Sequence, residues 1–183
     1  MLIEKLFEQG VMRIGPSPRD PSRQVGVFPP DLIPRIAATR AAELAKFAWI
    51  SGAWTYENAV PSTRLSPAYV DAGQQRFVIA NSWVCTVMHG GRLERQITFD
   101  PFSNQWIYSL TRGSYALLRS AQGWQGNQIV FTGPMLMIGI DCEWRMTWSK
   151  SSDDQFRFVN EEKTEDGTWA YVDEWRFDRV KPG

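Results

Sequence analysis

The spacing of apolar and polar positions changes character near residue 50. Upstream, Ile33, Ala37, Ala41, Leu44 and Ala48 recur at helical spacing, with Arg35, Glu43 and Lys46 mostly elsewhere around the turn. Segment 34–50 therefore predicts one amphipathic helix of about four turns, with Asp31 as its N-cap candidate. The opening Leu2–Met12 predicts a second, shorter helix. Between them, Pro16, Pro18, Pro21, Pro29, Pro30 and Pro34 interrupt any periodicity, so residues 15–34 read as an extended surface arm. Residues 1–33 are accordingly an N-terminal extension, and 34–183 a single domain of helix plus β-structure.

Downstream of Ser51 the chain becomes a series of short runs rich in aromatic and β-branched residues. These predict strands over 52–60, 74–80, 82–88, 92–99, 105–111, 114–120, 127–133, 137–149, 154–164 and 168–179. The separators carry turn chemistry, as in His89-Gly90-Gly91, Asp100-Pro101-Phe102-Ser103-Asn104 and Glu165-Asp166-Gly167. Links this short require antiparallel neighbours. An antiparallel meander this long hides its edges by closing, which gives an all-β, up-and-down barrel of about eight to ten strands. Alternation agrees: Cys142, Trp144, Met146 and Trp148 share one face of their strand, and Trp169, Tyr171, Trp175 and Phe177 share one face of the last. Asp173 interrupts that last stripe, and since a buried carboxylate needs a partner or a raised pKa, it is expected to be either paired to an arginine or exposed at a bend.

Nine tryptophans in 183 residues imply a broad aromatic interior. By alternation the lumen candidates are Trp54, Tyr56, Trp83, Tyr108, Trp144, Met146, Phe158 and Tyr171. Such rings are first of all core, yet a shell this wide leaves an axis to be occupied, and apolar barrel mouths with a few polar groups bind small molecules. Glu57, Glu94, Arg95, Arg145 and Asp173 interrupt the aromatic strands. An arginine inside an apolar barrel would hook a ligand carboxylate, and Arg145 is kept among the ligand-binding candidates on that ground. The competing reading is an external cross-strand ion pair.

Four further motifs recur in order: Asp100-Pro101-Phe102-Ser103-Asn104-Gln105-Trp106, Gly123-Trp124-Gln125-Gly126-Asn127, Arg145-Met146-Thr147-Trp148 and Asp153-Asp154-Gln155-Phe156-Arg157-Phe158. With the helix and Gly52-Ala53-Trp54 ahead of them, they resemble a bacterial lipocalin-like family of uncharacterised function over about residues 40–180. Gly52-Ala53-Trp54 itself resembles the Gly-x-Trp opening of lipocalin and calycin barrels, with alanine where threonine is commoner. That resemblance implies a calycin-like barrel whose floor is closed by Trp54, with Arg176 or Arg179 of the final strand packed over it. It implies no particular activity.

Charge and composition narrow the rest. Lys plus Arg equals Asp plus Glu at 20 each, without the basic excess of a nucleic-acid surface. Cys85 and Cys142 make no disulfide framework and read as small core thiols of a reducing compartment. The amino terminus has no run long enough for a signal or a span, so a cytoplasmic protein without a membrane partner is expected. His89 is the only histidine, which removes the usual zinc sites. A haem barrel resembling nitrobindin would need an axial histidine on a late strand, and none follows residue 89, so no cofactor is expected. No nucleophile elbow or phosphate loop is present, and the carboxylate doublets point to opposite strand faces. The leading expectation is binding of a small hydrophobic or amphipathic ligand inside the barrel. The alternatives are a lumen-based lyase, isomerase or cyclase on an apolar substrate, or a homodimer formed through the N-terminal arm.

Overall fold

The computed structural model describes residues 2–80, 82–87, 93–111 and 114–181, and the chain forms two compact units, Met1–Thr39 and Arg40–Gly183. In the first, α1 (Leu2–Glu8) precedes a hairpin of β1 (Arg13–Pro16) against β2 (Gln24–Val27). The proline-rich stretch is thus partly paired rather than a simple extended arm. Its turn is built on side-chain acceptors: Ser17 Oγ takes the Arg19 N–H at 3.2 Å and Asp20 Oδ1 the Ser22 N–H at 3.1 Å.

The helix expected over 34–50 is two pieces, α2 (Leu32–Leu44) and a 3₁₀ helix (Ala45–Ile50). Pro34 falls in the first turn of α2, where its missing N–H costs nothing. The tighter winding after Leu44 aligns residues three apart, and Phe47 and Ile50 are both fully buried.

Among the described residues eleven strands follow: β3 (Gly52–Val60), β4 (Tyr69–Ala80), β5 (Trp83–Val87), β6 (Leu93–Asp100), β7 (Gln105–Thr111), β8 (Ser114–Ser120), β9 (Trp124–Gln125), β10 (Gln128–Met137), β11 (Ile140–Lys150), β12 (Gln155–Lys163) and β13 (Trp169–Arg179). All but the short β9 form a closed antiparallel ring, each strand beside its predecessor, with β13 returning to β3 and β8 joined to β10. The all-β up-and-down barrel expected from the meander is therefore observed. β4 starts earlier than the sequence pattern indicated, and β10 runs through Gly133 and Pro134 instead of stopping there. Pro134 is accommodated because the β8–β10 pairing is interrupted between Thr132 and Met135. Gly133, at φ +153°, lets the strands stay close, since a Cβ there would lie 2.9 Å from the Leu117 carbonyl oxygen.

One end of the barrel is solid. Register places Trp148 beside Phe158 and Phe158 beside Trp175, and likewise Phe156 beside Phe177. The rings stack along these rows, with centroids 5.2 Å apart for Trp148–Phe158 and 4.3 Å for Phe156–Phe177. Phe47, Ile50, Trp54, Phe77 and Trp106 complete this floor, each at most 2% exposed. Full burial of such side chains stabilises by roughly 1.5–3 kcal/mol apiece. No helix among the described residues is long and apolar enough to cross a membrane.

Candidate ligand-binding cavity

Trp54 anchors the floor. Its indole Nε1 donates to the Ile50 carbonyl at 2.7 Å, tying the 3₁₀ helix to β3. The guanidinium carbon of Arg179 lies 4.2 Å from the Trp54 ring centroid. The same guanidinium donates to the carbonyls of Ser51 (3.0 Å), Trp49 and Asp153 (2.8 Å) and pairs with Asp154 at 3.0 Å. One side chain from the last strand thereby fastens β3 and the 3₁₀ helix, which plugs this end of the barrel.

Toward the opposite end, where β3 gives way to β4, the interior opens into a cavity of about 290 Å³. Its apolar wall is Leu110, Met135, Trp144, Met146, Phe158 and Trp175, with Val60, Tyr69, Met137 and Val172 nearer the mouth. Five polar side chains face it as well: Asn58, Arg95, Tyr108, Asn160 and Asp173. The volume equals about ten waters at ~30 Å³ each, so more than isolated solvent molecules can enter.

The polar groups form a chain of hydrogen bonds. Trp144 Nε1 donates to Asn160 Oδ1 at 3.1 Å, Asn160 Nδ2 donates to Asp173 Oδ1 at 2.6 Å, and Trp175 Nε1 donates to Asp173 Oδ2 at 3.3 Å. Burial pushes the Asp173 carboxyl above its ordinary value, against these bonds, the charge of Arg95 and hydrogen bonding from Asn58. Tyr108 is 1% exposed, and its phenol is likewise raised by burial, with Arg95 opposing. Arg95 sits over two rings, 4.5 Å from the Trp175 centroid and 5.3 Å from that of Phe158. Its Nη1 is buried without a hydrogen-bond partner, as is Asn58 Oδ1, and among the described residues Arg95 makes no ion pair.

Of the residues expected at the lumen, Tyr108, Trp144, Met146 and Phe158 come together around this cavity. Trp54 and Tyr56 point inward without lining it; the Tyr56 ring packs on Trp175 at 5.0 Å and on Phe177 at 6.1 Å. Trp83 is on the opposite face of β5 from Val84 and Thr86, which are each 2% exposed and point into the barrel. Tyr171 is outside as well. The β12–β13 register shifts there: Asn160 faces Asp173 but Glu161 faces Tyr171, leaving Val172 as an extra residue. This bulge reverses the facing of everything before it on β13, so Tyr171 is 47% exposed while Trp175 and Phe177 turn inward. Arg145 is external: it forms a two-pronged pair with Glu161, both contacts 2.6 Å, and stacks on Trp169 at 4.6 Å. Among the described residues Asp173 has no arginine at ion-pair distance, and it is not exposed at a bend; amide and indole donors hold it. Glu57 is exposed, and His89 and the Glu94 side chain lie outside the described residues.

Arg95, Asn58 and Asn160 complete the site, and a stricter count of period two points to each. Arg95 alternates with Ile97 and Phe99, Asn58 with Trp54 and Tyr56, and Asn160 with Phe156 and Phe158. Both cysteines are free thiols, with Cys85 buried and Cys142 half-buried. Among the described residues no three His, Cys, Asp or Glu side chains converge as a metal site.

No protein-family model matches the chain, and no curated protein is recognisably similar in sequence. Similar folds are found among solved structures. The crystal structure of Rv2717c from M. tuberculosis aligns over 76% of this chain and 98% of its own, with 8% identity and a TM-score of 0.51. A redesigned β-barrel aligns over 73% and 94% respectively, with 10% identity and a TM-score of 0.36. At 8% identity the likeness to Rv2717c is one of fold alone.

Proposed function

We propose that this protein binds a small amphipathic molecule in the hollow end of its barrel. One observation carries the reading: a cavity of about 290 Å³ walled by indole, phenyl and thioether groups is lined by a half-buried arginine, Arg95, whose buried Nη1 lacks a hydrogen-bond partner. Apolar walls with few, fixed polar groups are the composition of small-molecule sites. The floor is packed solid by its own rings, so one barrel provides both a stabilising core and a chamber. Trp54 with Arg179 stacked over it supports kinship with the lipocalin-like barrels that the sequence motifs resemble.

The test is native mass spectrometry of protein purified from its own host, followed by titration of the emptied barrel with the neutral fluorophore 1-aminoanthracene. A retained small molecule, or saturable fluorophore binding after extraction, is expected. Bare polypeptide mass together with no fluorophore binding overturns the reading.

Asp173 favours a second reading. A carboxyl that burial makes harder to ionise, in a cavity beside Arg95 and Tyr108, has the properties of a general acid or base acting on an apolar substrate. Loss of turnover with retained binding in Asp173→Asn would separate that role from binding alone.

A further inference from the structure

Resting on the binding reading above, the charges in the cavity wall define what kind of polar group a ligand carries. Among the described residues, and apart from the Tyr69 and Tyr108 phenols, Arg95 and Asp173 are the ionisable side chains that line it. They carry opposite formal charges. An anion entering the chamber meets Arg95 but is repelled by Asp173; a cation meets the reverse. Neither ion gains enough from a wall of zero net charge to offset loss of its hydration.

The guanidinium is, moreover, already placed over π-faces, 4.5 Å from Trp175 and 5.3 Å from Phe158. What Arg95 still offers is a hydrogen-bond donor, the buried Nη1. Asp173 offers no comparable opening, since Asn160 occupies Oδ1 at 2.6 Å and Trp175 occupies Oδ2 at 3.3 Å. Asn58, 9% exposed, contributes the complementary vacancy, an unpartnered amide oxygen able to accept. A buried donor and a buried acceptor without partners favour a ligand that supplies one of each.

We infer that the cavity selects uncharged ligands with both a hydrogen-bond acceptor and a donor on an apolar body, such as primary carboxamides or lactams, over the carboxylates of the same skeleton. Arg95 donates to the ligand carbonyl and Asn58 Oδ1 accepts from its N–H.

Matched pairs test this: 1-naphthaleneacetamide against 1-naphthaleneacetate, and decanamide against decanoate, each displacing 1-aminoanthracene at mildly alkaline pH. The amides are expected to bind about tenfold more tightly than their carboxylates. In Asp173→Asn, with the opposing charge removed and Arg95 retained, the affinity of each carboxylate relative to its own amide rises about tenfold. Carboxylates that bind wild type as tightly as the amides, or amides that fail to displace the fluorophore, overturn this inference and leave the cavity reading in place. If no probe binds, the fluorophore included, the cavity reading itself is overturned.

Discussion

Asn160 donates its side-chain amide to Asp173 Oδ1 at 2.6 Å, inside a barrel otherwise paved with rings. The bond holds a carboxyl that burial makes harder to ionise. Because the folded protein binds this proton more tightly than the unfolded chain does, Asp173 subtracts stability as pH rises from its ordinary value through its raised one. Glu174 and Asp100 act oppositely, as hydrogen bonds hold both below their ordinary values, so their stabilisation is lost as pH falls through those lowered values. Urea midpoints measured against pH for wild type and Asp173→Asn isolate the first effect: the wild type should lose ground to the variant as pH rises through that window. Parallel profiles would contradict it.

The Arg179 guanidinium bonds three carbonyls and covers the Trp54 ring, so Arg179→Met removes several charge-assisted contacts at once. We expect a loss of about 3 kcal/mol by urea denaturation, with faster exchange of the backbone amides of the 3₁₀ helix. A loss below about 1 kcal/mol would show that the plug is held by its apolar packing alone.

Arg145 differs from Arg95 although both interrupt aromatic strands. Its pair with Glu161 is on the outer surface, its side chain 30% exposed. Arg145→Met should cost about 1 kcal/mol or less and leave 1-aminoanthracene affinity unchanged. A clear drop in affinity would place Arg145 in the site after all.

Gln75 is 3% exposed, and neither of its amide atoms has a hydrogen-bond partner. An apolar side chain of similar volume removes that cost, so Gln75→Met should raise stability by about 1–2 kcal/mol in equilibrium unfolding. Destabilisation would reveal a bonded role for the amide, through ordered water or ligand.

The barrel was legible in the sequence because strand periodicity and turn chemistry agree along most of the chain. Trp144, Met146 and Phe158 lie on strands whose alternation is unbroken, and they face inward as the pattern implies. Tyr171 does not, since a single extra residue at Val172 leaves no mark on composition yet reverses every facing before it. Trp83 misleads for a different reason. On a five-residue strand both faces read as apolar, and the choice is made by pairing, which sets Val84 opposite Ile97 in the core. Arg95 was visible as an interruption, but its distinction from Arg145 depends on Glu161 standing directly across from Arg145 on the outer face, a relationship only the register supplies.

The most direct measurement is a fluorescence titration of 1-aminoanthracene into wild type and Met135→Trp. Met135 is 4% exposed and lines the cavity, so an indole there fills the chamber from its wall, at an overpacking cost of about 1–3 kcal/mol. The wild type should show one saturable site, and the folded variant should lose it. Equal binding to both proteins, or none to the wild type, would mean that the hollow end of the barrel is not where a ligand sits.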